Sequence, residues 1–98
     1  MMIPFKYREF YDIPRMIFFT HVDKSYLFNS EFNPEKDDYE KHYTVYLMPT
    51  LNDDELSGSW ELLVDSAISK IGNINTDDVI FDETKRKSLN SDILNKIG

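Results

Sequence analysis

The clearest periodic run of apolar positions in this chain lies between Ser59 and Ile71. A serine at its start can accept hydrogen bonds from the first free amides of a helix, and Gly72 follows the run where a helix would end. The pattern therefore predicts a central amphipathic helix over residues 59–71 that buries Ile68 and covers the rest of the fold. Its apolar members recur at the i, i+3, i+4 spacing of one helix face: Trp60, Leu63, Val64, Ala67, Ile68 and Ile71.

Earlier segments of the chain concentrate the β-branched and aromatic residues that are typical of strands. Three strands are predicted over residues 15–22, 25–32 and 41–48, with a further edge strand over 3–10, where Pro4 has no amide to donate. Because the connections between them are short, the three strands predict an antiparallel meander. The connection from the last strand toward the helix contains Asp53-Asp54-Glu55 and allows one helical turn.

The first hairpin is predicted to reverse at Asp23-Lys24. A loop of two or four residues places Phe19 opposite Phe28 and His21 opposite Tyr26, whereas a loop of three residues shifts the register and flips the faces. No glycine in this turn decides between these alternatives.

The C-terminal third of the chain predicts a short strand at 79–81 and a last helix that begins at Glu83 or Lys87 and ends at Ile97. With these elements the prediction for the fold class is α+β, in a single domain over 1–98. A curled antiparallel meander of three to five strands packs against the helix at 59–71 and the C-terminal helix. A small β-barrel with helical additions is the alternative.

Composition excludes several classes of function. The 98 residues contain no cysteine, and the three glycines, at 58, 72 and 98, cannot form a glycine-rich phosphate loop, so no cofactor is predicted. No apolar run approaches the roughly 20 residues of a membrane span, and charged residues interrupt the N-terminus where a secretory signal would lie. We therefore expect a cytoplasmic protein with no membrane partner.

The charge is strongly uneven along the chain. The net charge is −7, and residues 31–65 hold ten acids against two bases, a net of −8. Such a surface repels a phosphate backbone, so nucleic acid is not an expected partner, whereas a protein with a basic surface would be attracted. Solubility alone is the simpler explanation of the same charge.

Two histidines are the candidates for acid–base chemistry near neutral pH. His21 and His42 fall on the first and third strands of the meander, and neither belongs to a recognisable catalytic or metal-binding motif. The acidic stretch from Asp53 resembles the start of a calcium loop, but its twelfth position is Val64, which has no carboxylate. We predict no catalytic residue and no metal site.

The function that these observations favour is non-enzymatic binding of a basic protein partner, for example by an immunity or antitoxin-like domain. The predicted contact residues are acidic or aromatic side chains within the acidic segment: Asp37, Asp38, Tyr39 and Tyr46. Trp60 is predicted to be core, with an interface anchor as the alternative. The alternative function is a ligand-binding or enzymatic domain with a pocket in the sheet and His21 or His42 as its polar group. A structural subunit of a larger assembly is a further possibility, and the sequence does not indicate an oligomeric state.

Overall fold

The computed structural model describes residues 2–11, 13–60, 62–79 and 88–98, and these residues form a mostly β structure. Its helical elements are short: one α-helix, α1 (Asp53–Ser57), and 3-10 turns at Val64–Ser66, Thr76–Asp78 and Ser91–Lys96. The strands, in chain order, are β1 (Met2–Pro4), β2 (Lys6–Tyr11), β3 (Ile13–His21), β4 (Lys24–Asn29), β5 (Phe32–Asn33), β6 (Asp38–Tyr39), β7 (His42–Met48), β8 (Ser69–Asn75) and β9 (Ser88–Asn90).

Five of these strands form one antiparallel sheet in the order β2-β3-β4-β7-β8. The three strands of the predicted meander are present as β3, β4 and β7, side by side in this sheet. β1 pairs with β9, and β5 pairs with β6, as two small separate ladders. Within the described residues, β2 and β8 are the outer strands and do not pair with each other, so the sheet is open rather than a barrel.

The sheet is buried on both faces because successive side chains of its strands point to opposite sides. One face carries Ile17, Phe28 and Tyr43 and is covered by β1, β9 and the last 3-10 turn, through residues such as Leu89 and Ile93. The other face packs against the segment that contains α1 and ends near residue 67. The buried residues of this second cluster are Met16, Phe18, Leu27 and Met48 from the sheet and Leu56, Trp60 and Leu63 from the covering segment. This two-sided burial explains why β3 has apolar residues at consecutive positions.

The predicted helix over 59–71 is wrong. Trp60 and Leu63 are buried against the sheet as expected, but Leu62 and Leu63 lie in a turn, and the chain continues as the 3-10 turn Val64–Ser66 and then enters β8. β7 needs a partner for its backbone groups, and β8 supplies it; just before β8, the Ile68 amide already donates to the Leu47 carbonyl at 2.8 Å. Ile68, the expected core residue, is 64% exposed. Pairing with the sheet has overridden a helical spacing.

Of the predicted C-terminal helix, the described residues contain a short 3-10 segment in place of an α-helix. Residues 88–90 form strand β9 and Ser91–Lys96 a 3-10 turn, in which Ile93 packs against the core. Of the predicted strand at 79–81, Val79 lies in a bend, and residues 80 and 81 lie outside the described residues, as does the predicted helix start at 83–87. The α+β prediction therefore gives way to a mostly β fold.

The first hairpin reverses one residue earlier than predicted. Its turn is Val22-Asp23, with φ values of 49° and 62°, and His21 pairs with Lys24. This two-residue turn with two positive φ angles matches the right-handed twist of the strands. Phe19 consequently faces Tyr26 instead of Phe28, a shift of two positions that leaves each side chain on its expected face.

Tyr43 links the start of β7 to the start of β3, across β4, through a buried hydrogen bond. Its hydroxyl donates to the Pro14 carbonyl at 2.7 Å, and burial raises the pKa of Tyr43 well above its usual value of 10.0, against a smaller opposing effect of Arg15. The folded state therefore favours the neutral phenol. Above pH 10 the unfolded chain binds fewer protons than the folded chain, so this contribution to stability falls as the pH rises.

We expect Tyr43→Phe to lower the free energy of unfolding by about 1–2 kcal/mol at pH 7, because the buried Pro14 carbonyl loses its donor. The difference from the wild type should shrink between pH 9 and pH 11, since only the wild type carries the buried phenol. Urea unfolding followed by circular dichroism at pH 7, 9 and 11 measures both effects. A difference that stays constant over this range would contradict the assignment.

Candidate functional site

The acidic segment after β4 folds into a small hairpin made of β5, β6 and the turn between them. The Asn33 side-chain oxygen accepts a hydrogen bond from the Glu35 amide at 3.0 Å, and the backbone carbonyl of Asn33 accepts one from the Lys36 amide at 3.2 Å. Asp37 follows with φ at 51°, a left-handed conformation that aspartate tolerates better than most residues. We call residues 31–40 the acidic hairpin.

The base of the acidic hairpin is tied to the sheet. The Glu40 amide donates to the Glu31 carbonyl at 2.8 Å, and the buried Ser30 hydroxyl donates to the Glu40 carbonyl at 2.9 Å. The Asn33 amide group donates to the Glu40 carboxylate at 2.8 Å, and Lys36 lies 3.4 Å from the same group. The hydrogen bond from Asn33, followed by that from Lys36, holds the pKa of Glu40 below its usual value.

A row of three side chains, Arg15, Tyr39 and Phe32, runs from the sheet into the acidic hairpin, and we call it the aromatic row. The Arg15 guanidinium carbon lies 4.6 Å from the centre of the Tyr39 ring, and Arg15 also donates to the Ser30 hydroxyl at 3.3 Å. On the hairpin, Tyr39 and Phe32 are cross-strand neighbours whose ring centres lie 5.3 Å apart, edge to face. The row of Arg15, Tyr39 and Phe32 therefore packs the acidic hairpin against the end of the sheet.

Two clefts flank the segment from Asp38 to Lys41. The larger, of about 790 Å³, lies toward β8 and is lined by residues that include Tyr39, His42, Asn73 and Asn75. Its charged lining is mixed: Asp38, Glu40 and Asp78 against Lys36, Lys41 and Lys96. The smaller cleft, of about 240 Å³, lies on the Arg15 side and shares Asp38 and Tyr39 with the larger one.

The structure brings together three of the four predicted contact residues. Asp37 and Asp38 are exposed on the acidic hairpin, and Tyr39 is half-buried beside them. Tyr46 instead lies on the sheet face that carries Trp60, where it is partly buried. Burial, and to a smaller extent the charge of Glu31, raises the pKa of Tyr46.

The acidic segment is divided between two ends of the sheet. The acidic hairpin precedes β7, whereas the acids of α1 follow it, so the length of β7, about 20 Å, separates them. At the second end Asp53 pairs with Lys6 at 3.4 Å, and Asp53, Asp54 and Glu55 occupy the first turn of α1, where the helix dipole favours negative charge. The acids of the acidic hairpin and those of α1 thus lie on separate parts of the surface.

The strand register places the two histidines at opposite ends of the sheet. His21 ends β3 opposite Lys24, whereas His42 begins β7 opposite Asn75. Only His42 lies beside the acidic hairpin, in the wall of the larger cleft. No group of three or more histidine, aspartate or glutamate side chains that could hold a metal ion is present in the described part of the chain.

Sequence reasoning missed Phe32 as a surface residue. It is the last position of the strand predicted over 25–32, but β4 ends at Asn29 and Phe32 is 49% exposed on the acidic hairpin. The nearby Pro34 and the charges on both sides of Phe32 are the signals that place it outside the sheet.

In comparisons with known proteins, the chain matches no family model, no curated protein and no solved structure. Among the helices of the described residues, none is long and apolar enough to cross a bilayer.

Proposed function

We propose that this protein is a non-enzymatic binding module that recognises a basic protein partner through the acidic hairpin. The observation that carries the proposal is the exposure of Glu31, Glu35, Asp37 and Asp38 on a hairpin whose backbone is fixed by hydrogen bonds at its turn and its base. A partner would meet carboxylates that are already positioned, so less conformational entropy is lost on binding. Neutralisation of a basic effector, as by an immunity or antitoxin-like protein, is one form of this function.

The surface charge supports association and selection of the partner more than it supports tight binding by itself. Opposite charges steer diffusional encounter, and exposed ion pairs each contribute only about 0.2–1 kcal/mol. Binding at the acidic hairpin should therefore depend strongly on salt. It should also depend on where the charges lie, because the acids of α1 are at the other end of the sheet.

The test is a titration of the ¹⁵N-labelled protein with hexa-lysine at 20 and 200 mM NaCl, followed by NMR. We expect the largest shift changes at residues 31–40 and a marked loss of affinity at the higher salt concentration. The double variant Asp37→Asn/Asp38→Asn should weaken binding about fivefold, which corresponds to the loss of two exposed pairs.

The matched control is Asp54→Asn/Glu55→Gln, which also removes two negative charges, but from α1. If both double variants weaken binding equally, the peptide senses net charge only and the acidic hairpin is not a recognition surface. If neither site shows shift changes at low salt, the proposal fails outright.

A second candidate function is the binding of a small polar ligand in the larger cleft. The cleft volume of about 790 Å³ and the presence of His42, Asn73 and Asn75 in its wall favour it. A ligand of this kind would shift the signals of residues 42 and 73–75 with little dependence on salt, which separates it from the first proposal.

A further inference from the structure

Phe32 is the outward end of the aromatic row in the acidic hairpin. Its side chain is 49% exposed, whereas Tyr39, its cross-strand neighbour, is half-buried between Phe32 and the Arg15 guanidinium. Tyr39 thus contributes mainly to holding the hairpin on the sheet, and Phe32 is the ring that a partner could cover.

The surroundings of this ring are acidic. Glu31 precedes Phe32 directly, and Glu35, Asp37 and Asp38 lie in the same ten-residue hairpin, all of them exposed. Lys36, the cation within the hairpin, lies 3.4 Å from the Glu40 carboxylate. An exposed aromatic face among exposed carboxylates is complementary to a cation that also has an apolar, planar surface.

We infer that Phe32 is the anchor of the binding surface and that the partner places an arginine side chain over its exposed ring, with the hairpin carboxylates as the acceptors of the guanidinium N–H groups. This inference rests on the proposed function, because it names the partner residue that the acidic hairpin selects.

Arginine suits this surface better than lysine for reasons of shape and hydration. Its guanidinium is planar and weakly hydrated, so it can stack on a ring and still donate in its plane to carboxylates, whereas the lysine ammonium is a compact, strongly hydrated charge. The molecule already contains such stacks, in which Arg15 lies over Tyr39 and Arg8 lies over Trp60. A neutral apolar partner would leave the nearby carboxylates poorly hydrated without a counter-charge, which is unfavourable.

The experiment compares hexa-arginine with hexa-lysine on the full chain at 20 mM NaCl, for the wild type, Phe32→Leu and Phe32→Tyr. The control variant is Phe10→Leu, which removes another exposed ring, 63% exposed, that belongs to β2 and not to the acidic hairpin. We expect Phe32→Leu to weaken hexa-arginine binding about threefold to fivefold and to change hexa-lysine binding less. Phe32→Tyr, which keeps an aromatic ring, should bind hexa-arginine as the wild type does. Phe10→Leu should change neither, and contacts from arginine side-chain protons to the Phe32 ring should be visible by NMR.

The outcomes separate the two proposals. If both peptides bind at residues 31–40 but Phe32→Leu behaves like Phe10→Leu, the acidic hairpin is a charged surface and the inference about Phe32 is overturned. If Phe32→Leu weakens both peptides equally and shifts the backbone signals of residues 33–40 in the free protein, Phe32 supports the hairpin and the arginine preference is refuted. If neither peptide binds, the proposed function itself fails.

Discussion

Trp60→Ala is expected to lower the free energy of unfolding by about 4 kcal/mol, because large buried aromatic side chains cost about 3–5 kcal/mol when they are truncated to alanine. The Trp60 side chain is 2% exposed and packs edge-on against Phe18 at a ring distance of 6.4 Å. Its indole N–H donates to the Leu56 carbonyl at 3.0 Å, at the end of α1. The variant thus removes both a core side chain and the contact that holds α1 on the sheet.

Arg8 makes the loss of Trp60 larger than its buried area alone implies. The Arg8 guanidinium lies 4.7 Å from the centre of the indole ring and donates to the same Leu56 carbonyl at 2.7 Å. In the alanine variant the Arg8 guanidinium would lose its contact with the indole ring. Trp60→Phe keeps a ring against Phe18 and should recover more than half of the stability, although the Leu56 carbonyl loses one of its two donors.

Urea unfolding followed by far-UV circular dichroism measures these differences, because Trp60 is the only tryptophan and its fluorescence is lost in the variants. Ile68→Asp is the control that distinguishes this fold from a central helix. With Ile68 64% exposed, the substitution should change the free energy of unfolding by no more than about 0.5 kcal/mol. If Ile68→Asp unfolded the domain, Ile68 would have to be buried, and the exposed position described for it would be wrong.

The strands of the meander could be predicted because their signals are local. β3, β4 and β7 are rich in β-branched and aromatic residues and are separated by turn residues, so composition and spacing alone locate them to within a few positions. The turn at Val22-Asp23 could not be located, since the choice between neighbouring two-residue turns depends on how the whole hairpin aligns with β7. No residue in the turn itself carries that information.

The helix over 59–71 was wrong for a physical reason that the local pattern does not contain. Trp60 and Leu63 do share one buried side, as their spacing indicates, but a turn and a 3-10 segment satisfy this spacing as well as an α-helix does. Val64 and Ala67 are partly buried on the same side, but the last two apolar positions, Ile68 and Ile71, lie where the chain pairs with β7 and are exposed. The segment becomes a strand because the edge of β7, about twenty residues earlier in the chain, needs a hydrogen-bonding partner.

The candidate site was predictable only in its polar part. Asp37, Asp38 and Tyr39 attract notice because they stand in a charged, proline-containing loop, and they do lie together. Tyr46 is near them in the sequence but lies on the sheet face that carries Trp60, and Phe32 leaves the sheet where its composition indicates a strand. Whether these residues bind a partner stays a prediction.

Gly72→Ala is expected to lower the free energy of unfolding by about 3 kcal/mol, although it adds a single methyl group. Gly72 lies in β8 with φ at 156°, a conformation that residues with a side chain rarely adopt, and holding alanine there costs about 1–3 kcal/mol. A Cβ atom at this position would also lie 2.7 Å from the Gly98 carbonyl oxygen and 3.1 Å from a methyl carbon of Ile97. The sequence pattern indicated a helix-ending role for this glycine, but the need for it comes from the close approach of two backbones.

The clash should first break the pairing between Asn73 and Gly98, whose amides donate to each other's carbonyls at 2.8 Å. In Gly72→Ala both amides should exchange with solvent deuterium faster than in the wild type, even where the rest of the sheet stays protected. The matched control is Gly58→Ala, since Gly58 has φ at −87° and open space around the position of a Cβ. That variant should be neutral or more stable by up to about 1 kcal/mol, because alanine restricts the unfolded chain. Equal stabilities of the two variants, or unchanged exchange at Asn73, would mean that the last residues do not pack on β8 as described.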